Sequence, residues 1–232
     1  MNVNKSQLIQ RLKAQSISIG ILASDWLKLP DTLATLSAQQ HHLLHFDIGD
    51  GQFSPFFTVG AIAVKQFPSP FIKDVHLMVK DPFNVAKDCA KAGADIITLQ
   101  IEQSETLATT IDYLATHYPE CLIGLTLCPE TELVSLIPYL NKIDLIQVLT
   151  LDPRTGIKAE QQYIVERIGV LIEMLKEIRA EKLIAVDGSM NLTLAAQLYP
   201  LGIDWVVSGS ALFSHDDLLQ TLLQWKTAFI HN

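Results

Sequence analysis

The sequence predicts an α/β fold whose all-parallel sheet closes on itself, with helices outside. Three observations carry that prediction. Short apolar, β-branched runs alternate along the chain with longer stretches of helical periodicity. Eight such runs occur. Each reads as apolar on both faces, which is how strands read when neither side of their sheet meets water.

The strand candidates are SISIGIL (16–22), LLHFDI (43–48), IKDVHLMV (72–79), DIITLQI (95–101), CLIGLTL (121–127), IDLIQVLT (143–150), KLIAVDG (182–188) and DWVVSGS (204–210). A helix-like segment follows each, most clearly at DPFNVAKDCAKAGA, ETLATTIDYLATHY and AEQQYIVERIGVLIEMLKEIRA, the last running over 159–180. Pro30, Pro82 and Pro129 stand near expected helix starts, where a missing N–H does little harm. Residues 1–15 read as a short polar helix ahead of the first strand. Eight strand-then-helix units of about thirty residues describe a TIM (β/α)8 barrel, a parallel eight-stranded barrel with outer helices. The alternative is a doubly wound open sheet, whose usual mark is a glycine-rich turn after the first strand. This chain has ILASDWLKLP there. No linker or composition break divides the 232 residues, so 1–232 reads as one domain with 1–15 as an N-terminal extension.

With 49% hydrophobic and 18% charged residues the chain can bury a sizeable core. Its net charge of -8 argues against nucleic acid or an anionic membrane as partner. An anionic substrate must therefore be met by local positive features. No apolar run reaches the ~18 residues of a membrane span, and no signal-peptide pattern opens the chain. Cys89, Cys121 and Cys128 show no CxxC spacing, so neither a disulfide framework nor a structural zinc site is expected. A reducing cytoplasm is the expected compartment.

In a barrel of this kind, reactive groups gather at the C-terminal strand ends. There the second strand offers His45, Asp47 and Asp50, the third His76, the fourth Glu102, the seventh Asp187, and the eighth Gly209 and Ser210. Strand side chains alternate faces, so His45 and Asp47 project to one side. Taken singly, each has a plainer reading: a strand histidine is commonly a hydrogen-bonded core residue, and Asp81 or Asp187 would serve as a helix N-cap. Taken together, His45, Asp47, His76 and Asp187 converge from three strands. This mixed nitrogen and oxygen set suits one divalent ion of Zn, Fe, Mn or Co rather than Ca²⁺. A bound cation would also compensate carboxylates that are costly to bury.

These residues lie in motifs that resemble the ribulose-phosphate 3-epimerase family. HFDIGDGQFSPFFTVG is similar to its signature His-x-Asp-x-Met-Asp-Gly-x-Phe-x-Pro-Asn-x-Thr-x-Gly. DVHLMV, VDGSMN and VVSGSALF resemble its strand-three, strand-seven and strand-eight motifs, ILASDWLKL its opening segment, and AKAGADIITLQIE its strand four. The similarity spans about residues 17–216 with the motifs in order. It implies a metal-dependent isomerase that inverts C3 of a ketose phosphate, D-ribulose 5-phosphate to D-xylulose 5-phosphate, as in the pentose phosphate pathway. It further implies Asp47 and Asp187 as the acid–base pair, Asp47 as proton acceptor, and His45, Asp47, His76 and Asp187 as metal ligands. A metal-stabilised enediolate would link the two proton transfers. Backbone N–H groups near Gly156, Gly188, Ser189, Gly209 and Ser210 would bind phosphate, with Met78 packing on the reacting carbons. A homo-oligomer is also implied, although no helix face in the sequence is apolar enough to specify one.

Four departures touch the substrate envelope. The family's Asn-Pro-Gly-Phe-Gly-Gly-Gln loop after strand six becomes DPRTGIKAEQ (152–161), which keeps only Gly156. Ile157 would be strained if its position needed positive φ. The loop is therefore expected to change shape, with Arg154 or Lys158 offering side-chain charge, unless both are ordinary solvated cations. Gly49 replaces a methionine and is expected to leave a gap for a larger sugar. Leu149 replaces another methionine, and Gly20 replaces a substrate-contacting serine. The alternatives are an epimerase for a hexulose 6-phosphate such as D-allulose 6-phosphate, or a non-catalytic sugar-phosphate-binding paralogue. Decarboxylation would need a lysine by the metal, and Lys73 is expected to point elsewhere.

Overall fold

The computed structural model describes residues 4–215 and 217–230. The first three residues of the expected extension, Asp216 and the last two residues of the expected domain lie outside them.

Eight strands close into a barrel in chain order, every pair parallel. They are β1 (Ile17–Gly20), β2 (Leu43–Gly49), β3 (Ile72–Met78), β4 (Ile96–Gln100), β5 (Leu122–Leu127), β6 (Leu145–Leu149), β7 (Leu183–Asp187) and β8 (Trp205–Ser208). The last strand pairs with the first, Ile17 opposite Val206, which seals the sheet. All residues of β4, β5, β6 and β7 are buried, as a sheet shielded on both faces requires.

The helices are α1 (Lys5–Lys13), α2 (Leu29–Ala38), α3 (Ala61–Gln66), α4 (Pro82–Lys91), α5 (Ser104–His117), α6 (Gln161–Leu175), α7 (Leu192–Leu198), α8 (Ser210–Phe213) and α9 (Leu218–Ile230). Pro30 and Pro82 sit in the first turns of α2 and α4, as expected. Pro129 does not start a helix. It lies in a turn after β5, where its carbonyl accepts a hydrogen bond from the Tyr163 hydroxyl. The helix expected after β5 is instead a 3₁₀ segment, Leu133–Lys142, with Pro138 inside it. Proline lacks the N–H an α-helix interior needs and crowds the preceding turn. The long segment 159–180 divides into α6 and a 3₁₀ turn, Lys176–Glu181.

Two apolar clusters hold the molecule together. The larger lies between barrel and helices and takes in Phe46, Val75, Ile97, Leu125, Ile146 and Val206. The smaller fills the N-terminal mouth, where Leu8 and Leu12 of α1 meet Leu43, Ile72, Ile96, Leu122, Leu145 and Trp205. Although α1 is mostly polar, these two leucines are four apart and share one face. A capping box between Asn4 and Gln7 fixes where the helix begins. With one mouth plugged, the C-terminal mouth is the end left open to a ligand.

Candidate active site at the C-terminal mouth

Inward-facing residues build the site strand by strand. On β2 these are His45 and Asp47; on β3, Asp74, His76 and Met78, with Asp47 directly opposite His76. β4 contributes Gln100, β6 Gln147 and Leu149, and β7 Asp187 opposite Leu149. One ligand atom from each of His45, Asp47, His76 and Asp187 lies within 4.8 Å of the others. His45 Nε2 is 3.4 Å from Asp47 Oδ1 and 3.6 Å from Asp187 Oδ2; His76 Nδ1 is 3.1 Å and 3.6 Å from the same two oxygens. Both imidazoles are buried, whereas the Asp47 side chain keeps 38% exposure toward the cavity. His45 Nε2 is a buried nitrogen with no hydrogen-bond partner. Such an orphan, aimed between two carboxylates, fits a metal-ligating nitrogen.

Neighbours fix each ligand. His45 Nδ1 pairs with Asp74 Oδ2 at 2.8 Å, and His76 Nε2 meets the Gln100 amide at 2.9 Å. Gln147 donates to Asp187 Oδ2 at 3.0 Å. Thr58 Oγ1 donates to the Asp47 carbonyl and accepts from Gly49 N–H, tying down the end of β2. Burial alone would lower the pKa of His45, but the charges of Asp74 and Asp47 raise it well above the ordinary value. For His76 burial is again opposed, here by hydrogen bonds to Asp187 and Asp47, and the pKa is raised. Burial pushes Asp47 upward, yet His45 and His76 hold its carboxyl well below the usual range. Each shift reflects imidazole and carboxylate groups held side by side.

Above the cluster lies a cavity of about 590 Å³, lined by Gly20, Phe56, Met78 and Leu149 on its apolar walls. Gly188, Ser189, Gly209 and Ser210 line it on the β7–β8 side. Gly188 has φ +100°, and a Cβ there would meet Thr150 Oγ1 at 3.0 Å, so the position needs glycine.

Other expected site residues stand elsewhere. Gly156 adopts φ +75° in a turn off the cavity lining, and its N–H is taken by the Asp152 carbonyl. That loop closes on itself: Asp152 N–H bonds the Ile157 carbonyl, and the Asp152 carboxylate grips both the backbone and the guanidinium of Arg154. Arg154, committed to Asp152 and lying over Phe53, does not line the cavity; Lys158 lines a separate outer pocket. The positive φ in this loop falls at Gly156, and Ile157 escapes strain. Asp50 caps the turn at Gln52 and Phe53, and Glu102 bonds Cys128 N–H and Thr131. The N-cap of α7 is Asn191, which removes the plainer reading of Asp187. Lys73 points away, toward Gly93.

The gap expected at Gly49 is absent. A Cβ there would sit 2.5 Å from the Phe56 carbonyl oxygen, because residues 50–58 fold back over the end of β2. Gly20 likewise abuts Gly209, its built Cβ 2.9 Å from that Cα. Sequence reasoning missed Asp74, Gln100 and Gln147. Asp74 carried the same signal as Asp47, an acidic residue two places from a strand histidine; the two glutamines carried only the weaker one of a neutral polar residue in an apolar strand.

The family model for the ribulose-phosphate 3 epimerase family matches residues 16–213. The chain belongs to the ribulose-phosphate 3-epimerase family. A putative epimerase LsrE of Salmonella paratyphi A is 40% identical over 98% of this chain and 92% of its own length. The ribulose-phosphate 3-epimerase of Treponema pallidum is 32% identical over 86% of this chain and 91% of its own. The crystal structure of KGPDC from Streptococcus mutans shares the fold, with TM-score 0.66 and 15% identity over 93% of this chain and 97% of the other. As a member of the ribulose-phosphate 3-epimerase family, the chain is an isomerase, a sugar-phosphate epimerase. Its His/Asp cluster is one that could hold a metal ion. No helix among the described residues is long and apolar enough to cross a membrane.

Proposed function

We propose that this epimerase is metal-dependent and inverts C3 of a ketose phosphate, D-ribulose 5-phosphate to D-xylulose 5-phosphate. The supporting observation is the meeting of two carboxylates and two imidazoles at the floor of the open cavity. His45, Asp47, His76 and Asp187 would hold the ion. When bound, a divalent cation supplies Lewis-acid stabilisation of the negative charge that builds on the ketose oxygens. Asp47, ionised and partly open to the cavity, takes the C3 proton. Asp187, held by Gln147, returns one to the other face. The cavity wall of Gly188, Ser189, Gly209 and Ser210 receives the phosphate through backbone amides, which suits a protein of net charge -8. A pentulose is favoured over a hexulose because the space expected at Gly49 is filled by backbone.

Solvent-deuterium exchange at C3 tests this, with the metal-loaded protein and a panel including D-ribulose 5-phosphate and D-allulose 6-phosphate. Asp47→Asn and Asp187→Asn should each slow exchange by about 10²–10⁴-fold while keeping the fold. If both variants exchange every active ketose phosphate at the wild-type rate, the two-aspartate mechanism is wrong. Preference for the hexulose phosphate would overturn the choice of pentulose.

A further inference from the structure

Asp74 has no part in the acid–base chemistry, yet it is the most enclosed carboxylate described near the site. It lies on β3 directly across from His45 and is wholly buried. Its Oδ2 accepts from Ser18 Oγ of β1 at 2.8 Å and pairs with His45 Nδ1 at 2.8 Å. Its Oδ1 has no hydrogen-bond partner, and no lysine or arginine among the described residues forms an ion pair with it. A buried carboxylate so sparsely supported costs several kcal/mol unless its charge serves a neighbour. That neighbour is His45.

Donation from Nδ1–H to a carboxylate leaves Nε2 of a neutral imidazole as the atom bearing the lone pair, and Nε2 is the orphaned nitrogen at the cluster. His76 is backed differently, by the neutral amide of Gln100 on Nε2, and presents Nδ1. The two imidazoles therefore face the cluster through different nitrogens, and only one has an anion behind it.

We propose that Asp74, steadied by Ser18, is a positioning residue that fixes the ring of His45 with Nε2 toward the metal and strengthens it as a ligand. This inference rests on the metal-dependent reading above. The carboxylate raises the basicity of the ring it holds, and Ser18 ties that carboxylate to a third strand, so the ring cannot turn without breaking contacts on β1 and β3. In Asp74→Asn the amide either donates to Nδ1, leaving Nε2 protonated and unable to bind, or accepts from it without a charge. Both outcomes weaken the ligand.

The test is the affinity of the chelator-stripped, full-length protein for Mn²⁺ and Zn²⁺, measured by competition with a chromogenic chelator. Melting temperature is recorded with and without metal. Asp74→Asn should weaken metal binding by about 10–100-fold, and Ser18→Ala by about 2–5-fold, with a matching loss of metal-induced stabilisation. Nitrogen-15 shifts of the Zn²⁺-loaded wild type should show the His45 proton on Nδ1 and the metal on Nε2. Wild-type affinity, within twofold, in Asp74→Asn overturns the proposal, as does a variant whose metal-free melting temperature falls while affinity stays intact. Should Asp74→Asn fail to fold, unchanged affinity in Ser18→Ala overturns it and the expected weakening supports it. A wild-type protein that takes up neither ion overturns the metal reading itself, and this proposal with it.

Discussion

At Gly49 an added methyl group would meet the carbonyl oxygen of Phe56 at 2.5 Å, far inside van der Waals contact. Gly49→Ala should therefore destabilise the protein by about 1–3 kcal/mol in urea unfolding, because the obstacle is backbone and not a side chain that swings aside. A neutral result would mean that the turn over β2 yields easily. The Thr58 hydroxyl bridges two backbone groups of the same strand end, so Thr58→Val should cost about 1–3 kcal/mol through the groups it leaves unpaired. Legibility differed sharply among residues at this scale. His45 and Asp47 announced themselves because two polar groups two apart in an apolar strand must share a face. Gln100 and Gln147 stood out less, since neither has an ionisable residue two places away in its strand to mark a shared face. Gly49 misled because an absent side chain shows nothing of the backbone that fills its place.

Among elements, the strands were legible from β-branched runs bounded by polar residues, and the structure shifts their ends by only a residue or two. The 3₁₀ segment after β5 was not foreseen, although Pro138 was its cause and stood in plain view. The self-closure of the loop after β6 hangs on the Asp152 carboxylate gripping Arg154, a contact that residue types alone do not specify. The role of α1 was hidden by its polar composition. Leu12 is fully buried in the plug at the N-terminal mouth. Leu12→Ala should lower unfolding stability by about 2–5 kcal/mol. Turnover measured well below the melting transition should stay near wild type, since the plug and the catalytic cavity occupy opposite mouths. A large fall in turnover at unchanged stability would show that the two ends communicate.

Across the whole molecule, electrostatics set a pH dependence at the plugged end. His41 is buried, and its pKa is lowered to about 4, first by burial and then by Lys226 of α9 and His42. Arg11 of α1 lines the same hollow. Between about pH 4 and 6.5 the unfolded chain holds a proton on this ring that the folded chain does not. Stability should thus rise with pH across that window, by on the order of 3 kcal/mol for this group. His41→Gln should flatten the rise in urea melts of metal-stripped protein; an unchanged slope would remove His41 as its source. Barrel closure has a temporal consequence. Because Ile17 finds its partner in Val206, almost the whole chain must leave the ribosome before the first strand's outer edge is satisfied. Until then the nascent protein carries a raw, unpaired border of backbone donors and acceptors.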